Sequence, residues 1–509
     1  MDDLLAMYAG IQPDKTAVID DRPGEPVVAW SFAELDRRAN QIGHFLLGLG
    51  VDPSTKVVWC GQNSAALLGV VHGLRKLGAV GVPLNYRLTP EEAAYVIDNC
   101  DAKVVYVDAE YEALITQIRD QLPKVTEVCV FDGDGELERR IATFPTEPPV
   151  VGETSAPDLG ATMIYTSGTT GKPKGAVRSS AIDPAVAGGL LRLIGYVPDD
   201  VYLTTGPLYH SGPGGFAGLA HALGNTVVVQ HKFDAEDWLR LVETYKVTTT
   251  FTAPTPIRMV CSLPDEVKAR YDRSSMRRLI ANAAPWTLNL KKMYLADFPT
   301  DSLWEVYGST ELGVDTVLKP DDHLRKPGSC GQVAPGIEIK LFDADGVEVT
   351  EPNKAGELFV RSASTFSAYY KAEEKYEAAT RGDFHTVGDI AYFDEEGFFY
   401  IADRKNDMII SGGMNIYPAE IEAALDACPD IYEVAIFGIP DDQWGESVHA
   451  AVVPSREGVT VDEIMSFARQ HLAGYKVPRS VNFLDELPKT GSGKVLKRQL
   501  REPFWASAP

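Results

Sequence analysis

Between Tyr165 and Gly175 the chain reads YTSGTTGKPKG, which puts three glycines, four Ser or Thr hydroxyls and two lysines into a few consecutive residues. That composition suits phosphate. Gly168 and Gly171 let backbone N–H groups approach anionic oxygens, the hydroxyls of Thr166, Ser167, Thr169 and Thr170 donate hydrogen bonds, and Lys172 supplies charge. A solvated turn would use similar residues, so the loop alone does not fix a function. It is not a Walker loop. That motif needs GxxxxGK followed by Ser or Thr, whereas Lys172 precedes Pro173 and the required upstream glycine is missing. The tail segment KTGSGKV fails in the same way, with Pro488 in place of the first glycine and Val495 after Lys494.

The elements that must hold such a loop are legible around it. From Ser31 the segment SFAELDRRANQIGHFLLGLG has the Ser31/Glu34 spacing of a capping box and an apolar face at Leu35, Ala39, Ile42 and Leu46, which predicts a helix. KVVWC from Lys56 to Cys60 predicts a buried strand, the stretch after Asn63 a helix, and AVGVPL a further strand. Thr89-Pro90 opens another helix and KVVYVD from Lys103 follows as a strand. Further strands are expected at Thr162–Thr166, Thr226–Gln230, Thr248–Thr252, Leu279–Ala283 and Leu303–Tyr307. The alternation implies an α/β fold with mostly parallel sheets, whose ligands bind beyond the carboxyl ends of the strands. The last hundred residues differ, with strands near Glu433–Ile439 and Val448–Pro454, an amphipathic helix near Val461–Leu472 and a basic tail. The expected organisation is therefore a large multi-layer domain over 1–405 and a small, mobile α+β domain over 406–509, joined within the polar, glycine-bearing segment ADRKNDMIISGG.

Composition narrows the function. At 509 residues the chain exceeds what one core usually supports. Apolar residues at 45% and charged residues at 24% fit a globular protein. A net charge of −24 opposes nonspecific nucleic-acid or anionic-membrane binding, so a phosphate ligand must meet a local basic site. The six cysteines include no CxxC pair, which points to neither a disulfide framework nor a zinc site. Asp2 and Asp3 stand where a signal peptide needs positive charge, and no apolar run approaches a spanning length, so a cytoplasmic location and no integral membrane segment are expected.

With PLYHSG at Pro207–Gly212, NAAPW at Asn282–Trp286, YGSTEL at Tyr307–Leu312, GDIAYFDEEGFFYIADRKNDMIISGG at Gly388–Gly413 and PKTGSGKVLKR at Pro488–Arg498, the glycine-rich loop resembles, in order, the motifs of the adenylate-forming superfamily, on its acyl-CoA synthetase branch. The resemblance implies activation of a carboxylic acid by ATP to an acyl-adenylate, then transfer of the acyl group to coenzyme A. It implies that Glu311 holds Mg²⁺ with Thr166 nearby, since magnesium favours few carboxylates plus phosphate oxygens. Tyr307 matches the ring on adenine, beside Ala283, Ala284 and Pro285, with Gly308 and Thr310 in the same nucleotide site. Asp389 matches the acid on the ribose hydroxyls and Arg404 a ribose or phosphate contact; outside the motif the two would be read as a salt bridge. Lys494 matches the lysine bridging substrate carboxylate and α-phosphate, and His210 is placed beside the acyl pocket near that carboxylate. Pro213, Gly214, Gly215 and Phe216 are expected to shape that pocket, with Thr252, Ala253, Pro254 and Asn282. Gly412 and Gly413 match a strip along the pantetheine tunnel, and Trp444 a ring against the adenine of coenzyme A.

Asn406 stands where relatives commonly carry Asp or Lys at the hinge, and Val387 separates Thr386 from Gly388 where many have Thr-Gly-Asp. A medium- or long-chain fatty acid is the expected substrate from family frequency, with aromatic and sterol-derived acids open. Three other functions use the same loops: an acyl-AMP ligase loading a carrier protein, a luciferase-like oxygenase, and a noncatalytic nucleotide- or acyl-binding sensor. The Ser411–Gly413 strip, the WGE segment and the absence of a fused carrier domain favour coenzyme A; retention of Lys494 and Glu311 disfavours a sensor. The acid is a small molecule, no nucleic-acid partner is expected, and the oligomeric state is left open, a homodimer included.

Overall fold

The structure is a computed structural model that describes residues 3–133, 135–151, 162–166, 173–178, 184–405, 407–412, 414–490 and 494–505. Ser167 to Lys172, Asn406 and Gly413 therefore lie outside the described residues. Among the described residues the strands form four sheets. A seven-stranded sheet has the parallel centre Val80–Pro83, Lys56–Cys60, Val104–Asp108 and Glu127–Phe131, with Thr162–Thr166 parallel to the first of these and antiparallel to Lys174–Arg178. A nine-stranded sheet places Leu303–Ser309, Arg278–Ala281, Thr249–Thr252, Val201–Thr204, Thr226–Val229 and Thr16–Asp20 in parallel register, with antiparallel strands at both edges.

The strand Lys56–Cys60 shows why the apolar runs are strands. Val57 and Trp59 enter the central core with Leu35, Ile42 and Leu74, whereas Val58 and Cys60 enter a second core with Ile97 and Ile115. Alternate residues thus leave opposite faces, and both faces are covered. The nine-stranded sheet repeats this, its outer face closed by Trp238, Leu239 and Ile257. Helices Phe32–Gly48 and Ala65–Leu77 pack together between the two sheets, so the large part has five layers, helix, sheet, helix, sheet, helix.

The predicted helix starts hold with one correction. Ser31 Oγ accepts the Glu34 N–H at 3.2 Å, but the Glu34 carboxylate takes Arg37 and Arg38 rather than closing a capping box. Thr89 and Glu92 do form the reciprocal box. The predicted basic tail is a helix, Lys497–Trp505.

While Ala368–Tyr369 joins the seven-stranded sheet, six other strands within residues 338–404 form an antiparallel sheet that periodicity did not disclose. Its strand Glu338–Phe342 is mostly half-exposed and others are two residues long, so they carry little alternation. The chain leaves it at the end of Phe399–Arg404 and enters the C-terminal sheet at Ile409–Ser411. That smaller α+β unit is built on Ile431–Asp441 and Gly445–Pro454, which bury Ile436, Val448 and Val452 on one face and Phe437 and Ala451 on the other.

His72, His210, His221 and His323 are neutral in this fold. Burial pushes His221 down to about 4, His210 and His323 to about 3, and His72 well below its usual range. In the unfolded chain they titrate near 6.5, so below that pH the unfolded state binds more protons and stability falls until the native rings also protonate. The loss is on the order of 1.4 kcal/mol per pH unit per histidine. Asp403, raised by burial to about 6, and Asp315, Glu305 and Asp108, also raised by burial, offset much of it because their native forms favour the proton. The four imidazoles should therefore stay uncharged as the pH falls from 6.5 to about 5, read from their ring NMR signals; a midpoint near 6.5 in any of them would contradict the neutral assignment.

Candidate active site

The site collects at carboxyl ends of parallel strands in both sheets, as open α/β folds dictate. Thr166 ends its strand, Asn282 and Ala283 follow Arg278–Ala281, and Glu311 sits in the turn between Leu303–Ser309 and Gly313–Leu318. This turn needs glycine at 308, where a Cβ would overlap the Gly313 carbonyl oxygen. Ala283 holds φ +73°, a left-handed conformation uncommon for a residue with a Cβ, and its N–H is received by the Asn282 side chain.

Glu311 is 8% exposed, and its Oε1 accepts hydrogen bonds from Thr166 Oγ1 at 3.0 Å and Tyr369 Oη at 3.1 Å. Its Oε2 receives none among the described residues. Thr310 is fixed by Ser211 Oγ at 2.8 Å and by Arg178, which donates to its carbonyl and to that of Ser364.

Asp389 and Arg404 face each other in antiparallel register. Arg404 Nε lies 3.3 Å from Asp389 Oδ1, and Tyr307 Oη donates to Asp389 Oδ2 at 2.5 Å. The salt bridge weighed from sequence is present, and Tyr307 is joined to it. Beneath them Asp315 is wholly buried, with both carboxylate oxygens lacking hydrogen-bond partners among the described residues. Burial, then the Asp389 charge, drives its pKa well above the usual carboxylate range.

Beside this cluster opens a cavity of about 2160 Å³, lined at one end by Lys494, His210, Ser211, Asn282, Ala283 and Thr310 and continuing past Phe216 and Phe251. Lys494 is accessible because the cavity admits water, yet surrounding protein and then the Arg404 charge lower its pKa, while Asp389 and Glu311 oppose them. His210 caps helix Ser211–Ala222 without a capping hydrogen bond, and its Nε2 is buried and unpartnered among the described residues. Desolvation, then Lys494 and Arg87, keep the ring uncharged. A neutral His210 beside Lys494 can orient a carboxylate but does not add a second positive charge.

The structure thus gathers Thr166, Glu311, Tyr307, Gly308, Thr310, Asp389, Arg404, His210 and Lys494 in one region. Pro213, Gly214, Gly215 and Phe216 line the cavity, as does Ala253, whereas Thr252 and Pro254 do not. Ala284 and Pro285 follow Ala283 outside the lining. Gly412 and Trp444 stand elsewhere and contact each other: the Gly412 N–H donates to the Trp444 carbonyl at 2.8 Å, and a Cβ at Gly412 would lie 2.7 Å from the indole. Arg178, Ser211, Asp315 and Tyr369 were missed. Ser211 stands within PLYHSG beside His210, whereas Arg178, Asp315 and Tyr369 lie outside the quoted motifs and only the tertiary fold brings them to the motif residues.

Residues 5–370 match the model for AMP-binding enzyme, and residues 420–494 that for the AMP-binding enzyme C-terminal domain. An indoleacetate–CoA ligase of Aromatoleum aromaticum is 35% identical over 97% of this chain and 96% of its own. A long-chain-fatty-acid–CoA ligase of Mycobacterium tuberculosis is 32% identical, with 99% of each chain covered. The crystal structure of an anthranilate CoA ligase in complex with anthranoyl-AMP superposes with a TM-score of 0.90 at 27% identity, covering 100% of this chain and 98% of that one.

Proposed function

The chain belongs to the AMP-binding enzyme family, and from that premise we propose how its residues divide the work of an ATP-dependent acyl- or aryl-CoA ligase. The enzyme is an acid–thiol ligase of the AMP-forming acyl-CoA synthetase type, passing through an acyl-adenylate. The observation that carries the assignment of roles is the gathering of Glu311 and the Tyr307–Asp389–Arg404 cluster around Lys494, which lines one largely apolar cavity.

In the first half-reaction the substrate carboxylate attacks the α-phosphorus of ATP and pyrophosphate leaves, so negative charge must be stabilised at both ends of the displacement. Lys494 supplies a positive group on a long stem where carboxylate and α-phosphate meet. Asp389 and Arg404 hold the ribose side and Tyr307 the base, with Ala283, Ala284, Pro285, Gly308 and Thr310 around the nucleotide. The Thr166–Lys172 loop takes the leaving phosphates. The donor set fits Mg²⁺: one buried carboxylate with a free oxygen beside a threonine hydroxyl is what the ion uses when phosphate oxygens complete its shell. When bound it neutralises phosphate charge.

The acid occupies the cavity, whose apolar wall suits a long aliphatic or an aromatic body; a medium- or long-chain acid remains the first choice. In the second half-reaction Gly412, Gly413 and Trp444 would receive coenzyme A. Because Gly412 and Trp444 do not line the cavity that Lys494 enters, we assign residues 406–509 to a domain that turns about Asn406 relative to residues 1–405. The assignment predicts AMP and pyrophosphate as products. Quantifying nucleotides by chromatography across acids of increasing length and ring content checks this; ADP in place of AMP would remove it.

A further inference from the structure

The cavity continues beyond Phe216 to helix Ala65–Leu77, where its wall remains mainly apolar but contains a second free cation. Among the described lining residues the sole acid is Asp3, and it is engaged by Lys76. Of the lining cations, Lys76 is paired with Asp3 and Asp36, Lys232 with Glu110, and Lys489 with Glu433; Arg178 is bound by carbonyls, and Arg87 lies against Tyr86. Lys494 and Arg75 are the two whose charged groups have neither hydrogen-bond nor ion-pair partner among the described residues.

Arg75 lies in the last turn of its helix, where the helix dipole favours a cation. The dipole does not explain the direction it takes. Its guanidinium covers Gly218, where a Cβ would stand 2.9 Å from Nη2, on the helix that also carries the cavity-lining Gly214 and Gly215. Surrounding protein lowers its pKa by desolvation, although the cavity leaves it accessible. The neighbouring histidines do not share the charge. His221 Nε2 faces the Ala17 carbonyl at 3.1 Å and its Nδ1 faces His72 Nε2 at 2.9 Å, so both rings are committed to a neutral pair. A guanidinium that meets only cavity water keeps its fork of N–H donors free for an anionic ligand.

We propose that Arg75 recognises a second anionic group at the far end of the acid, making the substrate an apolar body with a carboxylate at each end. One carboxylate meets Lys494 and reacts; the other forms a two-pronged pair with the Arg75 guanidinium. From His210 to Gly218 the intervening helix advances eight residues, about 12 Å, which sets the scale of the separation. The inference rests on the ligase reading for the reacting end.

The test uses the full-length protein and saturated diacids of increasing length, each paired with the monoacid of equal chain length. AMP release and ligand-induced thermal stabilisation are measured for the native protein, Arg75→Leu and Arg75→Lys. At the best length the diacid should have a kcat/KM about 10- to 100-fold above its monoacid, the value of a charged hydrogen-bonded contact. Arg75→Leu should erase that preference and leave the monoacid rate unchanged, whereas Arg75→Lys should retain part of it. Stabilisation by the diacid should follow the same order. No diacid preference at any length, or an equal loss for both acids in Arg75→Leu, overturns the proposal while AMP release leaves the ligase reading standing. Selective, Arg75-dependent stabilisation by diacid without AMP release from any acid would uphold the subsite and overturn the ligase reading.

Discussion

Lys494→Ala is expected to reduce adenylate formation from acid and ATP by about 10²- to 10³-fold, the range seen when a group that stabilises developing charge is removed. Thioester formation from supplied acyl-adenylate should remain nearly intact. The separation follows from position: Lys494 enters the cavity beside His210, whereas Gly412 and Trp444 contact each other away from it. Gly413→Leu, which adds a side chain to the glycine strip, should do the reverse, sparing pyrophosphate exchange and blocking transfer to coenzyme A. Measuring both half-reactions in both variants, with thermal melts to establish folding, decides the matter. Equal loss of both steps in folded protein would rule out alternation.

Glu311→Gln should lower the overall rate about 10²-fold or more, since the amide cannot supply the negative charge needed by a phosphate-bound divalent ion. Glutamine retains an oxygen that can accept from Thr166 and Tyr369, so the local packing should survive. The variant should also require more magnesium to reach half its own maximal rate. Native activity and magnesium dependence in this variant would return Glu311 to a purely structural role.

The parallel sheets were legible because they are buried on both faces. KVVWC reads as a continuous apolar run, and its alternate residues do enter two different cores. The antiparallel sheet at 338–404 was not, although Asp389 and Arg404 were identified within it from their motif. What juxtaposes those two is strand register, which a short half-exposed strand does not announce. Glu311 was found with Thr166, but Tyr369, which completes its hydrogen bonds, was not; neither was Asp315, the buried acid whose charge state Asp389 influences. Nothing in the sequence singles out Arg75, one of two basic residues in the last turn of its helix. Its meaning arises only when Gly218, far along the chain, is placed against it.

The polar cluster joins partners remote in sequence. Thr166 and Glu311 are 145 residues apart, Ser211 and Thr310 are 99 apart, and Tyr307 and Asp389 are 82 apart. Each contact closes a long loop whose entropy must be overcome before the contact returns any free energy, so this part of the molecule consolidates late during folding. A newly made chain can acquire its local helices well before it can hold a nucleotide. Nucleotide retention during refolding therefore marks the end of the folding sequence, after the gain of helical signal.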